Sequence, residues 1–225
     1  MRLSVFVLIL LVATPAAARD LAEGADRRVD RDAIDVGART TIISDPALDP
    51  FGTSDALTQF GIGLSRTALA RGPWALGVGG RWEVGGKSAR ARGAESSFLV
   101  HSLAAVFEGR FHPRPWLVGF VRLAPGMRWQ RASISDASQP ADLRGSAWAF
   151  ATDVSAGGAL RIFSGQGDAM QLWLTPEVGY AWSSSGVSRL TADVPGDDPR
   201  RFGELAINEV RFGGPFARLS VTATF

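Results

Sequence analysis

The stretch that decides the fold is PFARLSVTATF, Pro215–Phe225. Ala217, Leu219, Val221, Ala223 and Phe225 are apolar or small, and Arg218, Ser220, Thr222 and Thr224 between them are polar. Side chains of a strand point alternately to opposite faces, so this pattern predicts a strand with one greasy and one wet face. The strand runs to the last residue, and that residue is aromatic. Soluble domains usually let their termini fray into polar residues.

The other end of the sequence carries an export signal. Arg2 is a minimal positive region, and Leu3–Val12 is a short apolar run. Pro15 breaks the run, and Ala16, Ala17 and Ala18 supply the small residues that a signal peptidase reads. A helix needs about 20 apolar residues to cross a bilayer, so the run is too short for an anchor. The sequence therefore divides into a signal peptide over 1–18, a charged periplasmic leader over 19–31 and a β domain over 32–225. The chain contains no Cys, so a lipidated-Cys anchor and disulfide staples are both excluded.

A pI near 9.9 invites a nucleic-acid reading, but the formal net charge is only +2. Lys87 is the only Lys, Tyr180 the only Tyr, and His101 and His112 the only His. With almost nothing titrating between the carboxylates and Arg, a small Arg excess moves the pI far up. No basic stripe is interleaved with stacking aromatics, so nucleic acid is not an expected partner.

Seven further strands are predicted before the last: Ala33–Ile43, Leu57–Ala70, Trp74–Val84, Ser97–Phe111, Trp116–Arg131, Ala147–Phe163 and Ala169–Trp182. Between them, Asp45–Asp55, Gly85–Ser96, Ser133–Gly145 and Ser183–Gly214 read as long loops. Arg71-Gly72-Pro73, His112–Pro115 and Ser164–Asp168 read as short turns. Loop lengths thus alternate long and short. Outer-membrane barrels pair short periplasmic turns with long extracellular loops, and an even strand number keeps both termini on one side. The expected fold is all-β: an eight-stranded antiparallel up-and-down transmembrane β-barrel.

The strand faces fit a wall in lipid. Trp74, Leu76, Val78, Trp82 and Val84 share one face of the third strand, opposite Arg81 and Glu83. Eight residues separate the two Trp, about 20 Å along the membrane normal for a tilted strand. That spacing puts an indole near each interface, where amphipathic rings belong. Trp148, Tyr180 and Trp182 extend this aromatic girdle. The inner face is expected to hold Arg81, Glu83, Arg122, Asp153, Glu177 and Arg218 as a paired ionic network. An eight-stranded barrel is just wide enough for side chains to fill it, and Gly61, Gly63, Gly77, Gly79 and Gly157 leave room for these long ones. Arg66 falls on the greasy face and calls for snorkelling or a bulge. The facing of His101 and the registers of the first, fourth and fifth strands stay open.

The architecture, the signal peptide and the Phe225-terminated strand resemble the small bacterial outer-membrane barrels of the OmpA/OmpX-like kind. The resemblance implies an integral outer-membrane protein of a Gram-negative bacterium. It also implies lipid and lipopolysaccharide as neighbours, and an assembly machinery that reads Phe225. A monomer with a side-chain-plugged lumen and a structural or surface-interaction role is expected.

Two alternatives differ in class: a lipid A-modifying barrel enzyme, and a soluble periplasmic barrel binding an apolar ligand. For the enzyme, His101 and Ser102 are neighbours on a strand and point to opposite faces. His112 sits in a Pro-rich turn, and Ser183–Ser185 at a loop edge, so no triad converges. No catalytic residue, cofactor or metal is expected. Asp45, Asp49 and Asp55, or Asp193, Asp197 and Asp198, lack EF-hand spacing. Lys87, Arg90 and Arg92 form a basic cluster on the second long loop that is suited to lipopolysaccharide phosphates.

Overall fold

The computed structural model describes residues 32–52, 54–91, 93–136, 142–165, 170–192, 204–207 and 210–225. The signal peptide and leader expected over 1–31 lie outside the described residues, as do Arg92 and the triad Asp193, Asp197 and Asp198.

Among the described residues, ten strands form a single antiparallel sheet. They are β1 (Asp32–Ile42), β2 (Ala56–Arg71), β3 (Trp74–Ala91), β4 (Ala94–Arg114), β5 (Leu117–Asp136), β6 (Leu143–Ser164), β7 (Gln171–Ser183), β8 (Arg189–Ala192), β9 (Glu204–Ala206) and β10 (Gly214–Thr224). Each barrel strand pairs with its sequence neighbours, and β10 closes on both β7 and β1. The ring therefore consists of β1 to β7 and β10. The seam β1–β10 runs in unbroken register from Ala33↔Thr224 to Thr41↔Phe216. Closure removes every sheet edge from the wall, the condition for a sheet to sit in lipid.

The sidedness is inverted relative to a water-soluble barrel. Along β10, Ala217, Leu219 and Val221 point outward while Arg218 and Ser220 are buried inside. The outer wall exposes Phe60, Ile62, Leu64, Leu76, Val121, Val154, Val178 and Leu219 among others. A continuous apolar wall of this kind has a favourable solvent only in hydrocarbon.

Four expectations need correction. The stretch Gly85–Ser96 is not a loop: β3 and β4 stay paired up to Ala91↔Ala94, so they form a long hairpin above the wall. His112 is not in a turn, because β4 continues to Arg114 and the chain reverses at Pro115 and Trp116. The His112 N–H donates to the Pro73 carbonyl at 2.8 Å, which ties it into the sheet. The Ser183–Gly214 connection is not all loop; it contains β8 and β9, and β8 docks on the upper end of β6. Arg131 does not end β5, which runs on to Asp136, and β6 begins early at Leu143.

The open registers resolve simply. Odd-numbered residues of β1 face inward, burying Arg39 and Thr41. Even-numbered residues of β5 do the same, so Val118, Phe120, Arg122 and Arg128 share the interior. Arg66 faces outward at the short-turn end and pairs with Asp32 at 3.2 Å, just before a bulge between Thr67 and Leu69. Gly72, at φ 57°, makes the tight turn that follows β2.

Beneath the long loops lies a hydrophobic core. Phe51 and Leu48 of a short 3-10 helix (Pro46–Phe51) pack with Phe98, Val100, Leu190 and Phe212. Asp45 caps that helix, accepting from the Ala47 N–H at 3.0 Å, and also accepts from the Arg211 N–H at 2.8 Å. The first and last long loops are thereby joined over the barrel mouth.

Placing a charge on the outer face tests the sidedness. Leu219→Arg is expected to cost about 2–4 kcal/mol near the bilayer midplane, read from urea unfolding in lipid vesicles. An unchanged midpoint would mean that this face does not meet lipid.

Candidate functional site

The interior of the barrel holds a dense cluster of buried charges. Glu83 on β3 faces Arg39 on β1, at 3.2 Å, and also pairs with Arg218 on β10. Arg218 reaches Glu177 on β7 at 3.0 Å, and Glu177 pairs with Arg122 on β5. Arg122 donates to Glu108 on β4 at 2.7 Å through Nε, and Glu108 pairs with Arg110. In the other direction Arg39 pairs with Asp153 on β6 at 2.5 Å, and Asp153 with Arg128 on β5 at 2.8 Å. Arg128 then donates to the Phe212 carbonyl in the last loop at 2.7 Å.

These contacts form one path of strictly alternating sign: Arg110, Glu108, Arg122, Glu177, Arg218, Glu83, Arg39, Asp153, Arg128. It runs from the short-turn end to the loop end. Every ring strand except β2 contributes a charge, and β2 joins through Thr67 and Ser65, which accept from Arg110 at 3.2 and 3.3 Å. Arg81 stands beside this path and pairs with Asp35 at 3.5 Å. Removing a charge from water costs several kcal/mol, and alternation is what compensates that cost. Hydroxyls add to the coordination: Ser155 donates to Glu177 at 2.7 Å, and Thr41 accepts from Arg39 Nε at 3.0 Å.

The charges fit because glycines oppose them. A Cβ at Gly61 would stand 2.7 Å from Glu83 Cγ, and one at Gly77 3.1 Å from Arg110 Nη2. Phe216 lies under two guanidinium groups, with Arg39 Cζ 3.9 Å and Arg218 Cζ 5.6 Å from its ring centroid. Two voids remain. One of about 20 Å³, ringed by Arg81, Glu83, Arg128, Asp153 and Arg218, is the size of a single water. Another of about 80 Å³ lies toward the short turns, between Asp35, Arg110, His112, Phe120 and Trp173.

All six charges proposed from the sequence, Arg81, Glu83, Arg122, Asp153, Glu177 and Arg218, lie on the inner face and belong to this cluster or its side branch. Sequence reading missed Asp35, Arg39, Glu108, Arg110 and Arg128. For Arg39 the signal was the odd-number alternation of Asp35, Gly37, Arg39 and Thr41, blurred by Ala38 and Thr40 on the other face.

The proposed girdle residues Trp74, Trp82, Trp148, Tyr180 and Trp182 all project from the outer wall. His101 projects there too, stacked 6.0 Å from Trp82 and tilted 5.3 Å from Trp129, while Ser102 is buried inside. Phe225 lies on the outer face, and its N–H and C=O exchange hydrogen bonds with Asp32 across the seam. Of the basic residues Lys87, Arg90 and Arg92, Lys87 and Arg90 stand on opposite faces of β3, and Arg92 lies outside the described residues. Lys87 bonds the Ser54 carbonyl, and Arg90 pairs with Glu95 at 2.6 Å. Among the described residues no group of His, Asp and Glu is arranged to hold a metal ion.

Closed ring, apolar exterior and charged interior together define the outer-membrane β-barrel class. No protein-family model matches the chain, and no curated protein matches it in sequence. Among solved structures, the chain is similar to Ail, the attachment invasion locus protein of Yersinia pestis. Identity is 12%, 87% of this chain and 99% of that chain are covered, and the TM-score is 0.50. Ail in complex with the heparin analogue sucrose octasulfate is similar at 10% identity and the same coverage, with TM-score 0.49. The transport unit of the Escherichia coli autotransporter AIDA-I follows at 10% identity, 90% and 92% coverage and TM-score 0.38. The likeness to Ail is one of fold: a small outer-membrane-type barrel.

Glu83 separates two arginines that closure brings face to face. Glu83→Gln is expected to destabilise the barrel by about 3–5 kcal/mol, the usual cost of breaking a buried pair. Adding Arg39→Gln should recover part of that loss. Equal stability of the single variant and the parent in urea titration would contradict a structural role for the cluster.

Proposed function

We propose that this outer-membrane barrel is a closed, monomeric scaffold, whose interior carries no solute and whose work is done at its outer surface. The observation that carries this reading is the unbroken path of alternating charges across the lumen. To admit a solute, several buried ion pairs would have to open at once, each at a cost of several kcal/mol. The hydrophobic core beneath the loops supports closure from the other side, because Phe51, Leu190 and Phe212 would have to leave it for the mouth to open.

The apolar wall and its aromatic girdle suit contact with outer-membrane lipid and lipopolysaccharide. They count against a soluble periplasmic ligand-binding barrel, which would need its apolar face inside. Phe225 serves in this reading as the mark recognised by the barrel-assembly machinery. Its outward ring and its place at the closing seam both suit recognition during insertion.

Two measurements test the proposal. Reconstituted in planar bilayers, the protein should give no stepwise conductance, and steady ion conductance would overturn the closed-lumen reading. Deleting Phe225 should lower the amount of heat-modifiable, membrane-extracted barrel several-fold in cells, while the purified chain still refolds in detergent. Normal membrane levels of the shortened chain would remove Phe225 from the assembly role.

A further inference from the structure

Three arginines crowd the outside of the wall at its loop end. Arg131 on β5 lies opposite Ser146 on β6, two residues above the Trp129↔Trp148 pair. Arg144 faces outward two residues further up β6. Arg189 is brought in by β8, whose pairing with β6 matches Arg144 to Thr191. Together with Trp129, Ser146 and Thr191 they line an open groove of about 460 Å³.

The chemistry of the groove changes with height. Below it lies the aromatic row of Trp82, His101 and Trp129, in ring contact from β3 to β5, with Trp148 on β6 as the cross-strand partner of Trp129. Below that row the same strands present Met127 and Phe150 on the outer wall. A ligand filling the whole surface therefore needs an acyl portion, an interfacial portion and an anionic group, in that order. Arg144 pairs with Asp142 at 2.8 Å, and Arg189 with Glu204 at 3.3 Å. Both pairs are largely exposed, and such pairs contribute little, so they yield readily to a multiply charged anion. Arg131 has no acidic partner among the described residues, and planar guanidinium groups bind phosphate oxygens in bidentate fashion.

We infer that Arg131, Arg144 and Arg189 form a binding site for the phosphorylated headgroup of an outer-leaflet glycolipid, whose acyl chains lie along the wall below Trp129 and Trp148. The site rests on the reading that this wall stands in the outer membrane. It is distinct from the charged lumen and from Lys87 and Arg90 on the β3–β4 hairpin.

The test uses the full barrel refolded in detergent micelles, with binding read by native mass spectrometry. The probes are bis-phosphorylated lipid A, the same lipid stripped of phosphate, and heparin. The parent should bind the phosphorylated lipid in preference to the stripped one. Arg131→Gln/Arg144→Gln/Arg189→Gln should weaken that binding by about tenfold or more, given the usual strength of a basic residue near an anionic lipid surface. Binding of the stripped lipid should not change. Should the triple variant fail to give a heat-modifiable band, Arg131→Gln alone should weaken binding about fivefold. Arg66→Gln, at the opposite rim, should leave it unchanged. Equal binding of both lipids by the parent overturns the site, as does undiminished binding by a folded variant or binding of heparin alone. Failure of the barrel to fractionate with outer membranes would instead overturn the reading beneath it.

Discussion

Glu83 stands between Arg39 and Arg218, and the barrel's closure depends on it. In the seam between β1 and β10, Arg39 and Arg218 are direct cross-strand partners. Like charges placed opposite each other across a sheet are destabilising, and both side chains here are buried. The seam is tolerable because one carboxylate from β3 touches both guanidinium groups, Asp153 adds a second carboxylate at Arg39 Nη1, and Glu177 pairs with Arg218. The Phe216 ring, under both cations, adds a second neutral support. The last strand to emerge is thus fixed by charges on strands from all around the ring.

The remaining features follow from having lipid outside. A wall that gives its apolar side chains to hydrocarbon has none left for a conventional core, so the interior must be held by polar contacts. In this protein those contacts are ionic in the middle and change character at the two ends. At the loop end the inward positions of β4 become Phe98 and Val100, and the 3-10 helix and last loop fold down to cover them. At the short-turn end the inward positions of β5 and β7 become Phe120 and Trp173, beside a row of hydroxyls around a small cavity. Each stretch of the interior has the partner that its depth requires.

This change of character explains what the sequence disclosed. Strands three, six, seven and the last alternate cleanly, because their inward residues are polar or small along most of their length. Their facing can be read by eye, and Arg81, Glu83, Asp153, Glu177 and Arg218 fall out at once. Strands four and five carry apolar residues on both faces, since Phe98, Val100, Val118 and Phe120 point inward at one end or the other. Glu108, Arg110 and Arg128 were hidden by that mixture. The second long loop was misread for a related reason. Gly85, Gly86, Ser88 and Ser96 look like loop residues, yet in a hairpin standing above the membrane neither face needs to be apolar. Nothing local marks that Arg131, Arg144 and Arg189 meet, because β8 reaches β6 only through tertiary pairing.

The central claim is that the lumenal charges hold the seam. Amide hydrogen exchange of the β1 and β10 residues, compared between the parent and Glu83→Gln in the same micelles, addresses it most directly. The account predicts that amides from Val36 to Thr40 and from Ala217 to Val221 lose at least about tenfold in protection, while the β4–β5 pairing keeps its own. Uniform loss across the sheet, or no loss at the seam, would contradict it.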